Sequence, residues 1–272
     1  MSAGVFDLRR AGPLSALVSL APDQPYLRDH DVGTPLLGTV MSLEAMAETA
    51  LLLTGRRPLR LWEIAAGEDC LVSAPGTLRC VLEEAGGVMR ASLLDGSAAV
   101  FSCLMSFDAP PAPAPALPEG ESGPEVGAEQ VYRCFFHGPA FRVIASARTV
   151  GAALAARMNT ALPALRTDRL CEEVLPVRAV EFCLQSSGLL DAAFRRYMSV
   201  PRSVGCVELY RPIRSGLALE SRACFTEAGN DIVAFDPAGA PLLAVRDYRT
   251  KPMPYGAPGF DQLCAALRPG EG

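Results

Sequence analysis

Two stretches of this chain, 137 residues apart, carry one helical pattern, and a chain that repeats itself over such a distance folds twice. Residues 43–53 (LEAMAETALLL) align without a gap on 180–190 (VEFCLQSSGLL), apolar on apolar and Glu44 on Glu181. A later pair agrees: Glu84, Ala85 and Gly86 ahead of residues 88–101 have their counterpart in Glu227, Ala228 and Gly229 ahead of 231–245, with a two-residue difference at the turn. Only the first copy has a histidine, His30, in the loop beside its helix. The asymmetry between the copies is where function is to be sought.

Length alone does not choose between one large domain and two smaller ones among 272 residues; the repeat decides for two. Half the residues are apolar and a fifth charged, enough to build full cores. A net charge of -5 weighs against nucleic acid or an anionic membrane as partner, since both require a basic surface. The nine cysteines are an odd number, scattered singly with no C-x-x-C pair, and read as buried thiols in a reducing compartment rather than as disulfides or a metal site. The first ten residues lack a basic segment followed by an apolar core, and no apolar run approaches about 18 residues. The expectation is a soluble, cytoplasmic protein.

Residues 109–129, rich in Pro, Gly, Ala and Glu, form a linker in which six prolines exclude helix and central strand. The predicted organisation is a first domain over 1–108, this linker, a second domain over 130–252 and a tail over 253–272. Strands are predicted over 15–20, 77–83, 88–94 and 98–107 in the first domain. In the second they fall over 141–150, 154–158, 203–210, 217–225, 231–235 and 242–248. Each half therefore has one long helix followed mostly by strands joined through short turns, the order of an α+β fold with an antiparallel sheet wrapped around a helix. In the first helix Leu43, Met46, Ala47, Ala50 and Leu51 make the apolar stripe; in the second, Glu181 and Gln185 lie one turn apart on another face.

Imidazole chemistry has only His30 and His137 to draw on. His30 sits between two aspartates in a Gly- and Pro-bearing loop that runs into the first helix, and by itself reads as a surface loop residue. His137, in FFHGPAF, reads as a turn residue before a strand. Glu44, Glu48 and Glu181 all read first as the solvated faces of their helices, favoured near a helix start by the dipole. Glu181 lies among Val180, Phe182 and Leu184, where burial would raise its pKa and suit it to act as an acid.

The segment from His30 to Leu53 resembles the active-site segment of hot-dog 3-hydroxyacyl-carrier-protein dehydratases, whose pattern H-x-x-G-x-P-x-x-P-G runs into the central helix with an acidic residue fourteen positions after the histidine. His30, Gly33, Pro35 and Glu44 match in position, while Gly38 and Thr39 stand where that family has Pro and Gly. The second half is similar to the dehydratase domains of polyketide and polyunsaturated fatty acid synthases, in which two hot dogs are fused. There, His137-Gly138-Pro139-Ala140-Phe141 resembles the G-P-x-F turn, and residues 180–185 resemble an L-D-x-x-x-Q helix start with Glu181 in place of Asp.

The resemblance implies a double hot-dog fold and one catalytic site, in which His30 of the first copy meets Glu181 of the second. His30 would take the proton beside the carbonyl of a 3-hydroxyacyl thioester, Glu181 would protonate the leaving hydroxyl, and backbone N–H groups near Thr39 would receive the enolate oxygen. Gly33, Gly38, Thr39, His137, Gly138 and Gln185 would bind substrate. The complementary pairing would set Glu44 against the neighbourhood of Thr167, where there is no histidine. The implied partners are an acyl carrier protein whose phosphopantetheine carries the substrate, with other synthase domains and a second copy of the chain as further candidates; no separate cofactor or metal is implied. Arg56, Arg57 and Arg60, or Arg195, Arg196 and Arg202, would offer docking surfaces to such an acidic carrier. A hot-dog thioesterase and a non-catalytic acyl-binding module are the alternatives.

Overall fold

A computed structural model describes residues 4–30, 33–67, 70–111, 121–214, 216–253 and 257–268. The chain divides into two compact units, one of Met1–Pro110 with His137–Phe141 and Pro163–Val177, the other of Pro111–Phe136, Arg142–Leu162 and Arg178–Gly272. Two short segments from beyond the predicted linker are thus part of the first unit.

The first unit runs β1 (Asp7–Gly12), β2 (Ser15–Leu20), α1 (Pro25–Arg28), α2 (Thr39–Thr54), β3 (Arg60–Ala66), β4 (Gly76–Ala85), β5 (Val88–Asp95) and β6 (Ala98–Ser106). Its strands pair antiparallel in the order β1-β2-β4-β5-β6-β3. Every residue of α2 from Val40 to Ala50 is buried, Glu44 and Glu48 included. The predicted solvated face is therefore wrong: a helix wrapped by its own sheet has no such face, and its polar groups must find partners inside. The helix ends where Gly55, at φ +73°, donates its N–H to the Leu51 carbonyl at 2.9 Å.

In the second unit come β7 (Val126–Gly127), α3 (Ala128–Val131), β8 (Ile144–Val150), β9 (Ala153–Met158), α4 (Val177–Phe194), β10 (Ser199–Leu209), β11 (Glu220–Phe225), β12 (Asn230–Phe235), β13 (Pro241–Pro252) and α5 (Phe260–Ala266). The order β7-β8-β9-β11-β12-β13-β10 repeats that of the first unit strand for strand, with β7 added at the edge. The turn that differed in length is also explained. Between β4 and β5 it is a two-residue turn with Gly86 at φ +60° and Gly87 at +86°, the mirror-image type that suits a twisted hairpin. Between β11 and β12 four residues intervene, closed by Thr226 N–H on the Gly229 carbonyl at 2.7 Å and Gly229 N–H on Thr226 Oγ1 at 3.1 Å.

Of the predicted linker, 112–120 lies outside the described residues, whereas Val126–Gly127 pairs with Ala147 and Ser146 as β7. The tail carries α5, which buries Leu263 and Cys264. None of the nine cysteines forms a disulfide, and all but Cys171 and Cys224 are buried. Among the described residues no helix is long and apolar enough to cross a membrane.

Candidate active site

In the first unit His30 follows the single turn of α1 and begins the loop that leads into α2. Its N–H reaches the Leu27 carbonyl at 3.0 Å, and its own carbonyl accepts from Leu36 N–H at 2.8 Å, closing the loop on itself. Gly33 takes φ +103° within that loop, a conformation that favours glycine. His30 is not the surface residue that its flanking aspartates suggest: it is 4% exposed. Its imidazole lies against Gly38, where a Cβ would stand 3.4 Å from His30 Cδ2 and 3.6 Å from Nε2. Gly38 is the N-cap of α2 and Thr39 its first residue, so the ring is held at a helix N-terminus, where backbone N–H groups point outward and the dipole favours negative charge.

The 137–141 segment completes this arrangement. His30 and His137 form an antiparallel bridge, their rings 5.5 Å apart, and the Phe141 ring lies 3.9 Å from that of His30. Gly138 donates its N–H to the Asp29 carbonyl at 2.8 Å. The first unit thus brings His30, Gly38, Thr39, His137 and Gly138 into one neighbourhood.

The second unit carries Glu181 and Gln185. Glu181 and Gln185, 5% and 3% exposed, sit one turn apart on α4, and Gln185 Nε2 donates to Glu181 Oε1 at 2.8 Å. Tyr132 was not anticipated. Its hydroxyl donates to Gln185 Oε1 at 2.8 Å and accepts the Ile144 N–H at 2.7 Å, so the amide is oriented from behind. Burial, reinforced by the nearby Glu181, pushes the Tyr132 phenol far above its ordinary range and keeps it a neutral donor. A signal existed in the sequence: a tyrosine five residues ahead of His137, in a stretch otherwise read only for its turn.

The position that mirrors His30 is Thr167, and it is structurally occupied. Thr167 N–H and Oγ1 both donate to Gln24 Oε1, at 2.9 and 3.2 Å. The adjacent Arg166, 4% exposed, donates to Asp168, Asp7 and the Val5 carbonyl. Glu44 accepts the Val174 and Leu175 N–H groups at 2.6 and 2.7 Å, and Glu48 accepts those of Val5 and Phe6 at 2.5 and 3.2 Å. These carboxyls anchor chain segments.

Several of the arginines considered for docking are engaged within their own unit. Arg56 lies over the Phe107 ring and Arg60 over that of Trp62, while Arg195 pairs with the buried Asp191 at 3.0 Å and covers Phe225.

Comparison with known proteins gives the following. A family model described as the polyketide synthase dehydratase N-terminal domain matches residues 107–259. No curated protein matches the chain. Among similar solved structures, the dehydratase domain of the polyketide PpsC from Mycobacterium tuberculosis is 19% identical over 92% of this chain and 97% of that one, with a TM-score of 0.73. A trans-AT PKS dehydratase domain from Brevibacillus brevis is 18% identical over 88% and 93%, at 0.71. The pyran synthase domain from module nine of the sorangicin pathway is 17% identical over 91% and 97%, at 0.72. At such identities these structures establish the fold, an α+β double hot dog. The family match covers more than half of the 272 residues, and the chain belongs to the polyketide synthase dehydratase family.

Proposed function

We propose that this dehydratase eliminates water from a 3-hydroxyacyl thioester carried on the phosphopantetheine of an acyl carrier protein, with His30 as base and Glu181 as acid. The observation that carries the reading is the seat of His30: a buried imidazole packed against the N-terminus of α2. A base beside a cluster of outward N–H groups suits removal of a proton next to a carbonyl, because the charge that develops on the thioester oxygen is received by donors fixed in advance.

In this reading the proton on the carbon next to the carbonyl passes to His30. The electron pair forms the new double bond as the C–O bond at the 3-position breaks, and the hydroxyl leaves as water with a proton from Glu181. The N–H groups of the first turn of α2, from Thr39, hold the enolate oxygen. Gln185, itself held by Tyr132, orients Glu181. Glycine at position 38 leaves the space beside the imidazole to the acyl chain.

The test is incubation with a 3-hydroxyacyl carrier protein followed by the mass of the acyl group. Loss of water supports the reading, loss of the acyl group points to a thioesterase, and no change points to an acyl-binding module. His30→Ala and Glu181→Gln should each lower turnover by about 10²- to 10⁴-fold, the usual contribution of a positioned proton-transfer group, with Glu44→Gln near wild type. Turnover unaffected by both of the first two variants would defeat the assignment.

A further inference from the structure

We infer that Asp29 is a positioning residue for His30, gripping the 137–141 turn so that Phe141 fixes the imidazole; the catalytic meaning of this rests on His30 being the base. Asp29 caps the C-terminus of α1 and its side chain is 5% exposed. It meets the turn with two acceptors. Its main-chain carbonyl takes the Gly138 N–H at 2.8 Å, and its Oδ2 takes the Ala140 N–H at 2.7 Å across 111 residues of chain. Between these two lies Pro139, which has no N–H to offer. Every backbone donor from Gly138 to Ala140 therefore ends on Asp29. The other carboxylate oxygen accepts from Arg28 Nε at 3.2 Å, and Arg28 is half exposed.

The grip is close enough to exclude a side chain at position 138. A Cβ there would stand 2.7 Å from Asp29 Cγ and 2.9 Å from its Cα, and because the latter is backbone the turn itself would have to move. Phe141 closes the turn with its N–H on the Gly138 carbonyl at 3.0 Å, and its ring lies 3.9 Å from that of His30, tilted by 54°. One residue on from Asp29, the His30–His137 bridge continues the same register. Asp29 and His30 are thus successive residues with divided tasks. The first holds the turn by hydrogen bonds, stronger for an ionised acceptor; the second receives that turn's ring on its face.

Asp29→Ala removes the side-chain grip, whereas Asp29→Asn keeps an oxygen that accepts the Ala140 N–H and turns its NH₂ toward Arg28, which is free to swing into solvent. Since a displacement of about 1 Å costs on the order of 10²-fold in rate, Asp29→Ala should lower kcat by about 10- to 100-fold with KM nearly unchanged. Asp29→Asn should restore it to within about threefold. A second readout does not depend on turnover. The chain has two histidines, so the imidazole Cε1–H region of its NMR spectrum holds two signals, and His30→Ala assigns them. The ring current of Phe141 displaces the His30 signal in the wild type; Asp29→Ala should return it toward the position of an unshielded histidine, and Asp29→Asn should leave it in place. If Asp29→Ala does not fold, Gly138→Ala displaces the same turn from the other side and should move the same signal. A His30 signal unmoved by these substitutions, or Asp29→Asn behaving like Asp29→Ala, overturns the inference. Full turnover in His30→Ala overturns the base assignment instead, and the NMR result still judges the grip.

Discussion

Helices α2 and α4 place a glutamate at the same step of the repeat and differ in what stands one turn later, Glu48 in the first and Gln185 in the second. That single difference gives the two glutamates different hydrogen-bond partners, which under the proposed function separates a structural pair from a chemical one. On α2 the pair is two carboxyls, and both accept backbone N–H groups: Glu44 from Val174 and Leu175, Glu48 from Val5 and Phe6. On α4 the partner is an amide, which donates to Glu181 and is held in turn by Tyr132. A carboxyl consumed as an acceptor for two fixed amides is a staple, whereas one oriented by a side-chain donor keeps a defined face for a substrate. The loops repeat the lesson, with His30 against the N-terminus of α2 in one and Thr167 bonded to Gln24 in the other.

The sharpest way to break this comparison is to write the α2 pair onto α4. Gln185→Glu would replace the donor to Glu181 by a second carboxyl, so that the two must share a proton, as like-charged neighbours do. Tyr132 still finds an acceptor, so folding should persist. The acid then loses the donor that orients it, and since a displacement of about 1 Å costs on the order of 10²-fold in rate, turnover should fall by about 10- to 100-fold under steady-state assay with the carrier-bound substrate. Unchanged turnover would mean that the amide is incidental and that the two helices differ only in their histidine.

In the opposite direction, Glu44→Ala should leave the chemistry and damage the fold. The buried Leu175 amide loses its acceptor at a cost of about 1–3 kcal/mol, and the part-buried Val174 amide adds a smaller loss. At about 2–4 °C per kcal/mol for a chain approaching this size, thermal unfolding should move down by roughly 3–15 °C while turnover per folded molecule stays near wild type. A variant with full stability and lost turnover would exchange the roles of the two helices.

Why one half of this comparison was legible in the sequence and the other was not follows from what each residue touches. The repeat, the helices and most strands came from apolar periodicity, because β2, β5 and β12 alternate burial as a half-covered strand must. β1 was missed because an edge strand reading DLRRAG is mostly exposed and carries no apolar alternation, and β3 because only Leu61 and Ile64 of its seven residues are buried. The solvated reading failed for Glu181, which is 5% exposed, as for Glu44 and Glu48, and for the latter two the reason is plain. Their partners are backbone N–H groups 42 to 131 residues away, and a backbone donor leaves no trace in a sequence. Asp29 was hidden in the same way, standing beside the histidine that drew attention yet bonded to amides of a distant turn.

The α2 pair also has a pH signature. Burial above all raises Glu48, to about 7, with the Val5 and Phe6 N–H groups and then Glu44 working the other way; Glu44 is raised well above the usual carboxylate range by burial and then by Glu48. A carboxyl whose folded pKa exceeds its unfolded value of 4.5 contributes stability that is fully present below 4.5 and is lost as pH rises through about 7. The melting temperature should therefore fall by a few degrees between about pH 5 and pH 8 from this pair, and Glu48→Gln should flatten that part of the profile. A profile of the same slope in the variant would place the titration elsewhere.

The mildest prediction concerns how firmly the α4 pair is held. Tyr132→Phe keeps the ring against Phe135, an edge-on contact at 6.5 Å between centroids, and removes only the hydroxyl. Gln185 Oε1 loses the donor at 2.8 Å and Ile144 N–H its acceptor at 2.7 Å. Gln185 still reaches Glu181 through its Nε2, so the acid is loosened rather than lost, and turnover should drop by no more than about tenfold, the effect of roughly one ordinary hydrogen bond. In the Gln185→Glu background the same substitution should add less than it does alone, since the amide that Tyr132 orients is already gone. Equal and multiplicative losses in the two backgrounds would show that Tyr132 acts on the site by a route that does not pass through Gln185.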